Sequence, residues 1–274
     1  MVKALILCSV SVSLLLLFQL FSICDNAKNT KLVPALYIFG DSTVDAGNNN
    51  NLSTTARAIS LPYGIDFNHT ATGRFTNGLT VPDYFARFLG LPFAPPYMNL
   101  SELERRTTTT GLNFASASSG ILPETGSFTK LYLIGARKFV VTGLGPVGCI
   151  PAIAKSTPHE GDCAESFNQA LLSYNKELFL KLSKLQSQLY GSFFVHTDTF
   201  KFLHELKENK EKYGITDTQN ACWDGKHDPC AVRDRYIYFD SAHPSQITNS
   251  IFAARCFSES SICTPMNVMQ LVSA

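Results

Sequence analysis

The chain has 274 residues and nearly balanced charge, with 23 Lys and Arg against 22 Asp and Glu and a formal net charge of +1. This balance, without any basic block, does not favour nucleic-acid binding. No linker, internal repeat or heptad divides the sequence, and nothing in it predicts a metal or an organic cofactor.

The first 26 residues have the pattern of a secretory signal peptide. Lys3 precedes an almost entirely apolar stretch over 4–24, and the sequence turns polar at Asp25. An uncleaved membrane anchor is the alternative, because the apolar run is long enough to span a bilayer. No later segment is as long and apolar, so we expect a secreted, extracellular protein that does not stay inserted in the membrane after signal removal, with residues 27–274 forming one domain. Its oligomeric state is not predicted.

Short apolar runs and amphipathic segments alternate along the remaining chain. Runs rich in β-branched or aromatic residues predict buried parallel strands, and apolar residues at intervals of three and four predict helices. The strands are expected at 36–39, 139–144, 193–197 and 236–239, and the helices at 81–89, 164–190, 200–210 and 246–257. We interpret the apolar stripe of the 164–190 helix as packing surface. The alternation predicts an α/β fold, a three-layer α/β/α sandwich around a mostly parallel sheet.

Two strand ends carry the residue types needed for nucleophilic acyl transfer. Gly40-Asp41-Ser42 follows the first strand and Asp240-Ser-Ala-His243 follows the last, so both lie at the same sheet edge. A serine hydroxyl becomes a good nucleophile when a base takes its proton, and imidazole titrates near the working pH. We therefore predict Ser42 as the nucleophile, His243 as the base and Asp240 as the carboxylate that orients the imidazole.

Each of these residues has an alternative interpretation. Ser42 could cap a helix, Asp240 could cap the helix expected to begin near Pro244, and a lone histidine is usually structural. Their occurrence together at one sheet edge favours the catalytic interpretation. The chain lacks the Gly-x-Ser-x-Gly elbow, which disfavours the α/β-hydrolase fold of conventional lipases.

Six cysteines lie beyond the predicted signal, since Cys8 and Cys24 are in it or at its edge. In an exported chain they predict up to three disulfides, although about 15 pairings are open to six cysteines. We expect near neighbours to pair: Cys149 with Cys163, Cys222 with Cys230, and Cys256 with Cys263. A zinc site at Cys222, His227 and Cys230 is the alternative, but it has no C-x-x-C pair.

Three Asn-x-Ser/Thr triplets lie in polar, loop-like stretches. They begin at Asn51, Asn68 and Asn99. In an exported chain they predict glycosylation at these asparagines.

Several motifs, taken in order, resemble the successive blocks of plant GDSL esterase/lipases, which belong to the SGNH hydrolase superfamily. They are PALYIFGDSTVDAGNNN, PYGIDF, TGRFTNG, GLNFAS, GARKFVVTGLGPVGCIP and FDSAHPS, and they run from about residue 33 to the C-terminus. The resemblance implies a flavodoxin-like α/β/α fold, secretion to the cell wall or apoplast, and hydrolysis of a small-molecule or polymer ester through a serine acyl-enzyme.

Carried over by position, the resemblance assigns Ser42 to block I and Asp240 with His243 to block V. The oxyanion would be held by backbone N–H groups of Ser42 and of a block II glycine, for which Gly120 is the nearest candidate, while Ser118 stands where a glycine is common. The block III Gly-x-Asn-Asp segment, whose asparagine also donates to the oxyanion, is not found. The chain therefore looks internally shortened near 127–128, and we expect a central strand to be missing.

Three functional hypotheses follow. The first is a secreted serine esterase acting on acyl or acetyl esters of lipid, cutin-like or cell-wall material. The second, motivated by the missing block III, is a catalytically impaired member of the family that binds an ester or glycan without hydrolysing it. The third is a truncated splice or gene-model product without a stable fold.

Overall fold

A computed structural model of the chain describes residues 31–120 and 128–274. The predicted signal peptide and the stretch just before the expected junction at 127–128 lie outside the described residues. The described residues from 33 onward belong to one compact unit. Across the two described ranges, no helix is both long enough and apolar enough to cross a bilayer.

Mostly parallel strands form the centre of the fold. β1 pairs in parallel with β2, β2 pairs antiparallel with β5, and β3 pairs in parallel with β4. The strands are β1 (Lys138–Thr142), β2 (Phe193–Thr197), β3 (Asp217–Ala221), β4 (Tyr236–Tyr238) and β5 (Cys263–Thr264). Three of them coincide with predicted strands, and with the surrounding helices they confirm the predicted α/β fold.

The first predicted strand, 36–39, is paired but not buried on both faces. The N–H groups of Leu36 and Ile38 donate to the Thr110 and Leu112 carbonyls, each at 3.0 Å, in a parallel arrangement. Ile38 is buried, but Tyr37 and Phe39 are 54% and 53% exposed. The expectation of a fully buried strand is wrong here, because an all-apolar run does not show whether both of its faces are covered.

Helices surround the strands, and all four predicted helices are present within a few residues of the expected bounds. The helices are α1 (Val81–Phe88), α2 (Glu102–Thr107), α3 (Phe128–Leu133), α4 (Pro151–Ser156), α5 (Glu165–Gln188), α6 (Thr199–Glu208), α7 (Gln246–Ser258) and α8 (Val268–Ser273). α1 begins with a capping box between Thr80 and Asp83. α7 begins after Ser245, whose hydroxyl accepts the Thr248 N–H, so Asp240 is not its cap.

The long helix α5 packs through only part of its apolar stripe. Leucines of its second half contact Phe139 of β1 and Phe194 of β2. In its first half, Phe167 and Tyr174 are 44% and 36% exposed. The stripe is therefore packing surface only toward the C-terminal end of the helix.

Three disulfides join near neighbours along the chain, as the sequence led us to expect. They are Cys149–Cys163, Cys222–Cys230 and Cys256–Cys263. The zinc alternative at Cys222 and Cys230 is wrong, because both sulfurs are bonded to each other. The cluster of Cys149, Cys163 and Glu165 has its ligand atoms within 4.8 Å, but a disulfide leaves it no thiolate to offer a metal.

Candidate active site

Ser42 lies in a tight turn at the end of the first extended segment. The Asp41 carboxylate accepts the Thr43 N–H at 2.8 Å and the Thr43 hydroxyl at 2.6 Å, and the Asp41 carbonyl accepts the Val44 N–H at 3.3 Å. This turn runs over 42–44 and no helix follows it directly. The helix-cap alternative for Ser42 therefore does not apply.

Ser42, His243 and Asp240 form a continuous hydrogen-bonded chain. The Ser42 hydroxyl lies 2.8 Å from Nε2 of His243, and Nδ1 of His243 lies 2.8 Å from Oδ2 of Asp240. The His243 side chain is 15% exposed, and Asp240 is buried. The structure thus brings together three side chains separated by about 200 positions, with the serine at the more accessible end.

Four donors from three residues hold the Asp240 carboxylate, and one of them, Nδ1 of His243, lies near both oxygens, 3.0 Å from Oδ1 and 2.8 Å from Oδ2. Oδ1 accepts the N–H groups of Ala242 at 2.8 Å and His243 at 2.7 Å, while Oδ2 accepts the Tyr63 hydroxyl at 2.8 Å in addition to the imidazole. Burial alone raises the pKa of Asp240, but the hydrogen bond and charge of His243, with the Ala242 and Tyr63 donors, hold it below its ordinary value. Asp240 is therefore ionised wherever His243 is required as a base.

A second Asp-x-x-His turn has nearly the same local geometry in a different environment. Asp224 accepts the N–H groups of Lys226 and His227, each at 2.9 Å, and contacts Nδ1 of His227 at 2.7 Å. The His227 side chain, however, is 82% exposed. The spacing thus produces this local turn at both sites, and burial together with the serine contact distinguishes the turn at Asp240.

Aromatic rings pack beside the histidine and around the tyrosine that bonds to Asp240. The Phe75 ring lies 5.0 Å from the His243 ring, centroid to centroid. Tyr63 packs edge-on against Phe75 at 5.7 Å, Trp223 at 5.3 Å and Phe239 at 5.9 Å. Tyr63 has no role in the sequence predictions, because a hydrogen bond across 177 positions leaves no local pattern.

A buried carboxylate joins the serine loop to the 113–117 segment. Asp45 is fully buried and accepts the N–H groups of Gly47 at 2.7 Å, Asn48 at 2.8 Å and Ala117 at 3.0 Å. Burial raises the pKa of Asp45, and the backbone donors partly oppose that rise. Sequence reasoning missed this residue, although it belongs to the same motif as Ser42.

Three asparagine side chains extend this connection. Their amides donate to backbone carbonyls of the opposite segment: Asn48 to Ala115 at 2.7 Å, Asn49 to Ala117 at 3.0 Å and Asn113 to Val44 at 2.8 Å. Because these amides are already bonded to the backbone, none of the three replaces the block III asparagine as an oxyanion donor.

The candidate oxyanion segment has unusual backbone geometry at Ser118. Its φ is +67°, in the left-handed region that glycine adopts without steric cost, which explains why a glycine suits this position. Gly120 ends the first described range, and apart from its chain neighbours no heavy atom of the described residues lies within 4 Å of the place where a Cβ would be. The roles of Ser42 and Gly120 as oxyanion donors stay predictions.

The predicted glycosylation sites are all exposed. Asn51, Asn68 and Asn99 lie on the surface, and the Asn51 amide donates to the Asn99 side-chain oxygen at 3.3 Å. Glycans on both Asn51 and Asn99 would therefore start from adjacent points, whereas Asn68 lies on a separate loop. Glycosylation stays a prediction.

Comparison with known proteins identifies the family. The family model for GDSL-like lipase/acylhydrolase matches residues 36–131 and 123–256. GDSL esterase/lipase At1g71691 of Arabidopsis thaliana is 31% identical over 335 residues, covering 88% of this chain and 86% of the relative. GDSL esterase/lipase 7 of the same plant is 30% identical over 337 residues, covering 88% and 92%. The chain belongs to the GDSL-like lipase/acylhydrolase family of ester hydrolases.

Proposed function

We propose that this protein is a secreted serine ester hydrolase that cleaves acyl or acetyl esters through an acyl-enzyme on Ser42. The observation that carries the proposal is the chain of 2.8 Å contacts from the Ser42 hydroxyl through His243 to Asp240. A serine, a base and a carboxylate in this order are the arrangement that activates a hydroxyl for acyl transfer.

In the first half of the reaction, Oγ of Ser42 attacks the ester carbonyl as its proton passes to Nε2 of His243. Asp240 stabilises the imidazolium that forms, and collapse of the tetrahedral intermediate expels the alcohol, which takes that proton. Water then enters, gives a proton to Nε2 of His243 and attacks the acyl carbon. The bond from that carbon to Oγ of Ser42 breaks, the acid leaves, and Oγ takes the proton back from His243. No redox step or external cofactor is required.

We also propose that the chain is internally shortened and that the missing segment lay near 127–128. The two matches to the family model meet over 123–131, which supports this position. The alignment with the first Arabidopsis relative is 335 residues long, more than the 274 of the whole chain, so it includes positions with no counterpart here. The exposed Tyr37 and Phe39 rings fit the loss of a neighbouring element.

The missing block III donor lowers the expected turnover without removing the nucleophile. Loss of one oxyanion donor typically reduces kcat by about 10² to 10³-fold. A catalytically impaired protein that binds an ester or glycan is the second candidate function, and the absence of Gly-x-Asn-Asp is the observation that favours it. Labelling of Ser42 separates the two candidates.

Fluorophosphonate labelling and ester hydrolysis test the proposed function together. The wild-type protein is expected to gain one adduct on the Ser42 peptide and to hydrolyse p-nitrophenyl acetate or butyrate, whereas Ser42→Ala is expected to do neither. Mass spectrometry locates the adduct, and absorbance measures hydrolysis. Equal hydrolysis by both proteins, with no adduct on Ser42, would overturn the proposal. A cooperative thermal transition of the same preparation shows that the shortened chain folds.

We also propose that residues 1–26 are removed on export. Three disulfides support this, because such bonds persist in oxidising compartments. When the full chain is expressed in plant cells, the protein recovered from the medium is expected to begin near residue 27, as read by N-terminal peptide mass spectrometry. Recovery of the chain only in membranes with residues 1–26 attached would contradict this expectation.

A further inference from the structure

Tyr63 connects a segment far along the chain directly to Asp240. Its hydroxyl donates to Oδ2 of Asp240 at 2.8 Å. The Tyr63 loop is fixed by backbone hydrogen bonds, from the Gly64 N–H to the Thr76 carbonyl at 3.0 Å and from the Asp66 N–H to the Asn77 carbonyl at 2.7 Å. The ring is therefore part of an ordered loop and not a mobile surface side chain.

We propose that Tyr63 is a positioning residue for the reaction, holding the Asp240 carboxylate in the orientation that serves His243. This inference rests on the proposed function, since it concerns the same serine, histidine and aspartate. It goes beyond that function by adding a fourth side chain to the group that controls the imidazole.

In the part of the chain that the structure describes, the other donors to the carboxylate come from its own turn. Oδ1 accepts the Ala242 and His243 N–H groups, and Oδ2 accepts Nδ1–H of His243. Tyr63 is the donor that reaches Asp240 from a remote part of the chain. Without its hydroxyl, the position of Oδ2 would depend on a turn of the same kind as the exposed turn at Asp224.

The aromatic contacts of Tyr63 hold its ring, and with it the hydroxyl, in one position. Its ring meets Phe75, Trp223 and Phe239 edge-on, at 5.3 to 5.9 Å between centroids. Phe75 also contacts the His243 ring at 5.0 Å. Phe75 and Tyr63 therefore pack against each other while Phe75 contacts His243 and Tyr63 bonds to Asp240.

Electrostatics keeps Tyr63 a donor. Burial, and next the negative charge of Asp240, raise the pKa of Tyr63 far above its ordinary value, so the hydroxyl stays protonated at every working pH. Among the described residues, His243 and Tyr63 are the titratable side chains hydrogen-bonded to this carboxylate. Because the hydroxyl withdraws charge from Oδ2, its removal leaves more negative charge facing the imidazole.

The test is Tyr63→Phe, which keeps the ring and its packing while removing the hydroxyl. Proton NMR then follows the Nδ1–H resonance of His243, a measurement that does not require turnover. We expect that resonance to shift, because the Asp240 oxygen that accepts this proton loses its second donor. On an ester substrate, kcat should fall about 10-fold with KM unchanged, the size of one charge-assisted hydrogen bond.

The matched control is Tyr132→Phe, which removes a hydroxyl that donates to the Tyr190 carbonyl at 3.0 Å, near the amino ends of β1 and β2. It should change neither the Nδ1–H resonance of His243 nor kcat. An unchanged Nδ1–H resonance and an unchanged kcat in a folded Tyr63→Phe protein, checked by circular dichroism, overturn the inference. Ser42→Ala is assayed in parallel, so that wild-type activity no higher than that of Ser42→Ala identifies failure of the proposed function instead.

Discussion

Replacing Asp240 with asparagine should lower kcat for ester hydrolysis by about 10⁴-fold, the size of effect that follows when the orienting carboxylate of such a triad becomes an amide. Both oxygens of Asp240 accept hydrogen bonds, Oδ1 from two backbone N–H groups and Oδ2 from Tyr63 and His243. Asparagine has only one accepting oxygen, so its NH2 group must face donors on one side. If the NH2 group faces Nδ1 of His243, that nitrogen must accept a hydrogen bond and the ring proton moves to Nε2. Nε2 then cannot accept the proton of Ser42.

The second Asp-x-x-His turn supplies a control for this experiment. Asp224→Asn changes the same atoms in nearly the same local geometry, but at an exposed turn. Its activity should equal that of the wild type, measured on the same p-nitrophenyl ester. A similar loss of activity in both variants would show that the effect of Asp240→Asn does not come from the catalytic site.

Removing the Asp45 carboxylate should destabilise the protein by about 3 kcal/mol or more, because each buried N–H left without an acceptor costs about 1 kcal/mol or more. In Asp45→Ala, the N–H groups of Gly47, Asn48 and Ala117 lose their partner. That loss is a large fraction of the stability of an ordinary domain. Urea unfolding followed by circular dichroism measures it, from the midpoint and slope of the transition.

A nearby aspartate allows a direct comparison. Asp41→Ala removes a carboxylate whose hydrogen bonds within 31–120 and 128–274 both come from Thr43, on the exposed side of the same turn. Its expected cost is about 1 kcal/mol or less, the range of a solvent-exposed hydrogen bond. Equal destabilisation by the two variants would contradict the role assigned to Asp45, since of these two carboxylates it is Asp45 that accepts the Ala117 N–H.

Topology made the positions of Ser42, Asp240 and His243 predictable from sequence. Residues that follow the strands of an α/β fold gather at the carboxyl ends of those strands. The expectation of one shared sheet edge is not met, because the segment over 36–39 pairs with 110–113 whereas β4 pairs with β3. The four longer helices were predictable because an apolar stripe persists over several turns. The disulfides follow simple proximity along the chain, although their number alone leaves other pairings open.

Other elements have no sequence signal of that kind. β3, Asp217–Ala221, has no apolar run, because it is held by backbone pairing to β4 with its side chains largely outside the core. β5 has only two residues and is joined to α7 by the Cys256–Cys263 disulfide. Asp45 and Tyr63 act on residues far along the chain, so their roles depend on contacts that appear only after folding.

The packing of Trp223 against Tyr63 gives the protein an intrinsic optical reporter. The chain contains one tryptophan, and its ring lies 5.3 Å from the Tyr63 ring and 6.2 Å from the Phe239 ring. All tryptophan emission therefore comes from a ring that packs against Tyr63, the residue whose hydroxyl donates to the Asp240 carboxylate. Changes in that emission should report movement of Tyr63 and Asp240 in real time, without any added label.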